Sequence, residues 1–278
     1  MKQLFDKVSI RCSRLTTKAY STSFSLGILC LDKKLRDPIY SIYGFVRFAD
    51  EIVDTFHSFD KKDLLERFRE ETFRAIREKI SLNPILNSFQ ATVSQYEIED
   101  ELVEQFLSSM EMDLSINHYN SHSFKAYILG SAEAVGLMCL RVFCRSNQEL
   151  YENLKSNAMS LGSAFQKVNF LRDLKADYRD LGRSYFPGLN IDRFDEDNKK
   201  KIEASIEKDF TEGFNGIKQL PRSSRFGVYV AYVYYLALFR KIKNMPSDLV
   251  LKSRVRIRNR HKATLLAYSF VKHSLNIM

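Results

Sequence analysis

Gln166-Lys167-Val168-Asn169-Phe170-Leu171-Arg172-Asp173-Leu174-Lys175-Ala176-Asp177 is the stretch on which the reading of this chain turns. Gln166, Asn169, Asp173 and Asp177 follow one another at spacings of 3, 4 and 4, so on a helix they share one face. The apolar residues between them fit a buried helix. A polar stripe therefore lies where a core stripe belongs. An earlier stretch, Arg47-Phe48-Ala49-Asp50-Glu51-Ile52-Val53-Asp54, repeats the pattern, with Tyr43, Arg47, Asp50 and Asp54 on one face and Glu51 off it.

Bare carboxylates in apolar surroundings are costly unless something compensates them. Two compensations are open: a buried ion-pair network between the helices, such as Arg47 with Asp173, or bound cations. Asp50, Asp54, Asp173 and Asp177 outnumber the arginines on or beside the stripes, Arg47 and Arg172, and the excess negative charge favours cations. The donors are oxygens, without His or Cys in either segment, which points to Mg2+ or Mn2+ rather than zinc. Mg2+ usually binds one or two carboxylates together with substrate phosphate oxygens and water. Arg47, Arg172 and Arg183 complete a clamp on phosphate, and metal and arginine together stabilise diphosphate as a leaving group. An apolar cavity lined by some of the 21 Phe and 14 Tyr would hold a hydrocarbon tail and a developing carbocation away from water.

The rest of the chain sets the frame. Its 278 residues fit one domain over 1–278, and Gly (10) and Pro (5) are scarce enough to favour an all-α protein. Amphipathic or apolar helices are expected over 4–19, from Asp37-Pro38 to Phe56, and over 60–79, 83–96, 99–111, 121–144, 148–180, 197–218 and 222–244. Gly182 ends the long helix and Pro187-Gly188 makes a loop. Within 121–144, Gly130, Ala132, Ala134 and Gly136 allow close backbone approach. A basic segment, 252–275, follows Pro246.

The net charge of +9 arises from residues spread along the chain without zinc-finger spacing, so a nucleic-acid partner is not expected. Cys12, Cys30, Cys139 and Cys144 lack CxxC spacing and read as reduced thiols. No signal peptide is expected, and no transmembrane helix, for want of 18 consecutive apolar residues. Arg254 to Lys262 reads as a solvated helix face, with diphosphate binding through Arg254 or contact with anionic lipid as alternatives. The histidines are ordinary residues.

The two aspartate segments, with Gly182-Arg183-Ser184-Tyr185-Phe186-Pro187 after the second, resemble those of the squalene/phytoene synthases. Tyr20-Ser21-Thr22-Ser23-Phe24 is similar to that family's N-terminal segment, and Tyr127 through Gly130 to Gly136 to its central helix. The matches keep the family order over about residues 20–270. Asp50-Glu51 departs from the Asp-Asp of many relatives.

The resemblance implies an all-α isoprenoid synthase bundle around a central cavity, and head-to-head condensation of two prenyl diphosphates through a cyclopropyl diphosphate. It implies that Asp50, Asp54, Asp173 and Asp177, with Asn169, hold metal and diphosphate. Gln166 lines the site. Arg47, Arg172, Tyr43, Ser21 and Ser23 contact diphosphate, more loosely joined by Tyr235 and Arg254, and Tyr127 lies near the second ionisation. Two geranylgeranyl diphosphates giving phytoene is the favoured reaction. Dehydrosqualene or squalene synthesis from farnesyl diphosphate is the alternative, NADPH being needed for squalene only, and no GxGxxG segment is present. A terpene cyclase or chain-elongating synthase fits the second segment poorly. A silent relative acting in assembly would be expected to have lost an aspartate. Cytoplasmic placement, with peripheral contact at the inner face of a membrane, completes the expectation.

Overall fold

The computed structural model describes residues 1–180, 182–189, 194–252 and 254–274. Helices in chain order are α1 (Lys2–Tyr20), α2 (Thr22–Leu29), α3 (Lys33–Asp54), α4 (Lys61–Glu78), α5 (Pro84–Tyr96), α6 (Asp100–Ser115) and α7 (Ser121–Ile128). A π-helical turn over Leu129–Ala134 leads into α8 (Val135–Cys144), followed by α9 (Gln148–Asp180), α10 (Glu196–Gln219), α11 (Arg222–Lys243), α12 (Ser247–Val250) and α13 (Asn259–Ser274). Among the described residues there is no strand, only one isolated bridge between His118 and Ser184. The fold is the expected all-α bundle.

Alternating polar caps and apolar faces account for most of these elements. Asn83 caps α5 by accepting from the Ile85 and Leu86 amides, with Pro84 at the first position. Asn120 and Ser123 form a reciprocal capping box at α7. The buried side chains make one continuous cluster, in which Phe45 stacks on Phe89 at 3.9 Å between ring centres.

Helix α6 runs four residues past the expected end, to Ser115, and four larger features differ from expectation. Helix α3 begins at Lys33 rather than at Pro38, because Asp32 caps it by accepting from the Lys34 amide and the fully buried Leu35 draws the preceding turn onto the core. Pro38 then sits inside the helix, where it removes one backbone hydrogen bond near the end that already lacks several. Helix α2 was not foreseen; Ser21 caps it by accepting from the Phe24 amide at 3.2 Å. The segment 254–258 is extended rather than helical, with Val255 buried and Arg254, Arg256 and Arg258 exposed in alternation.

The fourth difference is the π turn. A Cβ on Gly130 would lie 2.2 Å from the Gln105 carbonyl oxygen, and one on Gly162 would lie 2.5 Å from that of Ala132. The turn is pressed between α6 and α9, and glycine makes both approaches possible, as the small residues of this stretch suggested. The whole span Ser121–Cys144 has the length and apolarity to cross a bilayer, contrary to the expectation from uninterrupted apolar runs. Some 56% of its most apolar window is buried within the bundle, the position of a core helix. All four cysteines are free thiols.

Candidate active site

Helices α3 and α9 bring their polar stripes to one place. Tyr43, Arg47 and Asp50 face Gln166, Asn169 and Arg172 across a cavity of about 500 Å³. Ser21 at the start of α2, Tyr235 from α11 and Arg254 complete its polar end. Away from that end the lining is mostly apolar, with Phe24, Ile28, Val46, Phe165 and Leu161 among its walls and Ser131 and Asn157 as polar exceptions. The Tyr235 ring stacks on Phe165 at 4.0 Å, and its hydroxyl donates to Asn169 Oδ1 at 3.3 Å. Asn169 in turn donates to Gln166 Oε1 at 3.2 Å. Ser23, Asp54, Tyr127, Asp173, Asp177 and Arg183 are outside the cavity lining.

Ion pairs join those neighbours to the polar end. Arg183, 5% exposed, donates to Asp54 Oδ1 at 2.9 Å and to the Asp113 carbonyl at 2.9 Å, while its own amide donates to the Asp177 carbonyl at 2.8 Å. Asp173 is clasped from both sides, by Arg172 through two bonds and by Arg254 at 2.7 and 3.2 Å. Arg47 does not pair with Asp173. It bonds Glu51, lies 3.9 Å from Asp50, and carries its guanidinium 4.3 Å over the Tyr20 ring. Glu51, off the stripe, is thus the partner of the stripe's arginine.

Asp113 on α6 is a member that sequence reasoning missed. It is buried, and it accepts from the hydroxyls of Tyr119 at 3.0 Å, Tyr127 at 2.6 Å and Tyr185 at 3.0 Å. Tyr127 therefore directs its hydroxyl to Asp113 and packs in an aromatic cluster with Tyr119, Tyr185 and Phe170. The bridge between His118 and Ser184 holds the residues after α9 against those after α6 and so fixes Arg183. A lone Asp on an amphipathic helix gave no sequence signal of this role.

The electrostatics follow from burial. Asp50 is pushed up to about 8 by burial and then by the charge of Asp54. Asp177 rises to about 8 through burial and through Asp173 and Asp54. Asp113 rises to about 6 through burial, with Arg183 and the Tyr127 hydroxyl pulling it back. Burial opposes the Arg183 charge, yet Asp113, Tyr185 and Asp54 hold its pKa above the ordinary arginine value. Burial lifts the Tyr43 hydroxyl to about 12.

These features test whether a divalent cation fits. The carboxylates of both helices feel one another's charge, and Asp50 and Asp177 lack enough cationic neighbours to ionise readily. Their donors are hard oxygens, suited to Mg2+ or Mn2+. Among the described residues no three carboxylates converge on one point. An ion bound here would take one or two carboxylates and complete its shell with phosphate and water.

The sequence model of the squalene/phytoene synthase family matches residues 17–261. The chain is 26% identical over 260 residues to phytoene synthase 1 of Solanum lycopersicum, covering 86% of this chain and 62% of that protein. It is 25% identical over 268 residues to the phytoene synthase of Arthrospira platensis, covering 87% and 86%. Among solved structures, a dehydrosqualene synthase in complex with ligand superposes with a TM-score of 0.81 at 20% identity, covering 99% of each chain. A squalene synthase from Alicyclobacillus acidocaldarius gives 0.73 at 21%, covering 86% and 94%. The chain spans less than two thirds of the Solanum lycopersicum protein, and most of it, residues 17–261, lies within the matched family region. This chain belongs to the squalene/phytoene synthase family.

Proposed function

We propose that this protein is a prenyltransferase that joins two prenyl diphosphates head to head, two geranylgeranyl diphosphates giving phytoene. The observation that carries the reading is one cavity whose polar end holds residues of both aspartate helices and whose remaining length is mostly apolar. Helix α9 lines it from Arg172 to Leu154, eighteen residues apart, a depth of about 27 Å at 1.5 Å per residue. An isoprene unit, four backbone bonds of about 1.5 Å in zigzag, spans about 5 Å. Four units with a diphosphate head match this depth better than three.

In this reading Arg47, Arg172 and Arg254, with Ser21, Tyr43 and Tyr235, orient diphosphate at the polar end, and Ser23 and Arg183 support it from outside the lining. Asp50, Asp54, Asp173, Asp177 and Asn169 would hold Mg2+, which supplies Lewis acidity to the departing diphosphate. In the first half-reaction the C1–O bond of one substrate breaks and diphosphate leaves. The allylic cation alkylates the double bond of the second substrate, and loss of one proton closes a cyclopropane ring. In the second, the other diphosphate leaves, the ring opens and a second proton is lost. Phe24, Phe165 and Tyr235 line the adjoining wall with π faces that stabilise cationic carbon and exclude water. Tyr127 is a positioning residue, holding Asp113 and through it Arg183.

The C15 alternative uses the same machinery, with NADPH as a further requirement for squalene. Incubation of the purified protein with C15 and C20 diphosphates and Mg2+, with mass analysis of the hydrocarbon, decides between them. Absence of both hydrocarbon and released diphosphate sinks the reading. The assembly alternative is disfavoured because all four aspartates are present.

Arg256, Arg258 and Arg260 are exposed beside Arg254, and Tyr268, Phe270 and Val271 are exposed on α13. We propose peripheral contact with the inner, anionic face of a membrane, where an insoluble product partitions. Co-sedimentation with phosphatidylglycerol vesicles, lost at high salt or in R256A/R258A/R260A, is the expected result.

A further inference from the structure

We infer that the far wall of the cavity, built by Phe143, Leu154 and Leu220, sets the longest prenyl chain this protein accepts. The inference rests on the head-to-head reading above and deepens it.

Three helix ends converge there. A Cβ on Gly136 would lie 3.0 Å from the Ala158 carbonyl oxygen, and one on Gly162 would lie 2.5 Å from that of Ala132, so α8 runs antiparallel to α9 and its last turn reaches the first turns of α9. Gly213 packs on Leu161 and Gly216 on Asn157, so α10 also runs antiparallel to α9 and ends near Leu154. Phe143, Leu154 and Leu220 each line the cavity, at the end opposite Arg172 and Asp50. Leu154 and Leu220 are 1% and 5% exposed and so are fixed in the core, while Phe143 is half-buried.

Depth converts this wall into selectivity. Ala158 lines the cavity fourteen residues from Arg172, about 21 Å along α9. A C15 chain ends short of Ala158, a C20 chain passes it with its last unit, and a C25 chain runs into the wall. Ala158 leaves the bore open where the fourth unit lies, and Phe143 closes it where a fifth would begin. Asn157, the polar residue at this depth, donates its amide to the Glu212 carbonyl at 2.8 Å and so keeps that donor occupied.

The test uses the full chain with Mg2+ and C15, C20 and C25 diphosphates, singly and mixed, with hydrocarbon mass and kcat/KM as readouts. Ala158→Phe is expected to lower the C20-to-C15 ratio of kcat/KM about tenfold or more, as blocking an apolar pocket does. Phe143→Ala is expected to raise the C25-to-C20 ratio by a similar factor. Thermal melting checks that each variant folds. Should Ala158→Phe not fold, Cys139→Phe, from the facing wall on α8, takes its place. Folded, active variants that keep the wild-type ratios overturn the inference and leave the head-to-head reading standing. A wild-type protein that makes no hydrocarbon from any of the three overturns both.

Discussion

Arg183 reaches from the segment after α9 to Asp54 at the end of α3, 2.9 Å away, and so ties the two aspartate helices together. Its second anchor is the Asp113 carbonyl on α6. Three distant parts of the chain meet at one buried guanidinium.

Removal of that guanidinium leaves Asp113 buried without its cation. Arg183→Gln is expected to lower unfolding free energy by about 3 kcal/mol, the cost typical of breaking one side of a buried pair. Urea titration measures it. An effect confined to activity, with unchanged stability, contradicts the anchoring role.

Asp50→Asn and Asp177→Asn are expected to reduce product formation about 100-fold or more, since each removes an oxygen proposed to bind metal and diphosphate. Neither is expected to lower the melting temperature of the substrate-free protein. Asp177 lies near Asp173 and Asp54, and Asn at this position relieves like-charge repulsion. A large stability loss in both variants would show that these carboxylates serve the fold instead.

Asp113 gives stability a pH dependence. It faces Tyr119, Tyr127, Tyr185 and Arg183, and feels the charge of Asp54. Its folded pKa of about 6 stands above the ordinary aspartate value of 3.8. Between those values the folded state binds more protons than the unfolded state, so stability contributed by this group falls as pH rises. The difference between wild type and Asp113→Asn is expected to change by an amount on the order of 2–3 kcal/mol from pH 4 to 7. Parallel profiles for the two proteins refute this.

Tyr127→Phe deletes the 2.6 Å bond to Asp113 and keeps the ring in its aromatic cluster. Stability is expected to fall by about 1.5–3 kcal/mol, the worth of a bond to a charged group. As a positioning residue it should lower both half-reactions alike. Selective accumulation of the cyclopropyl diphosphate would instead place its hydroxyl at the second ionisation.

The stripes on α3 and α9 were legible because Tyr43, Arg47, Asp50 and Asp54, and Gln166, Asn169, Asp173 and Asp177, break an apolar helix at helical spacing. Other features escaped for physical reasons. Thr22 to Leu29 is short and apolar on most sides, and its cap, Ser21, was the only local signal. The π turn arises from contacts with Gln105 and Gly162, which lie on other helices. Pro38 reads as a helix start, but burial of Leu35 outweighs it. The alternation of Arg254, Val255, Arg256, Ile257 and Arg258 was present in the sequence and carries an extended segment, not a helix face. Asp113 was hidden because its partners come from three separate segments.

The double clasp on Asp173 makes the resting site its own counterion store. Arg172 and Arg254 neutralise the acid while nothing is bound. In the proposed reaction, Asp173 would be freed for a divalent ion when both guanidiniums turned to the oxygens of a bound pyrophosphate. Neither ion nor anion alone would then complete the exchange, and occupancy by each would depend on the other, a reciprocal coupling built from two salt bridges.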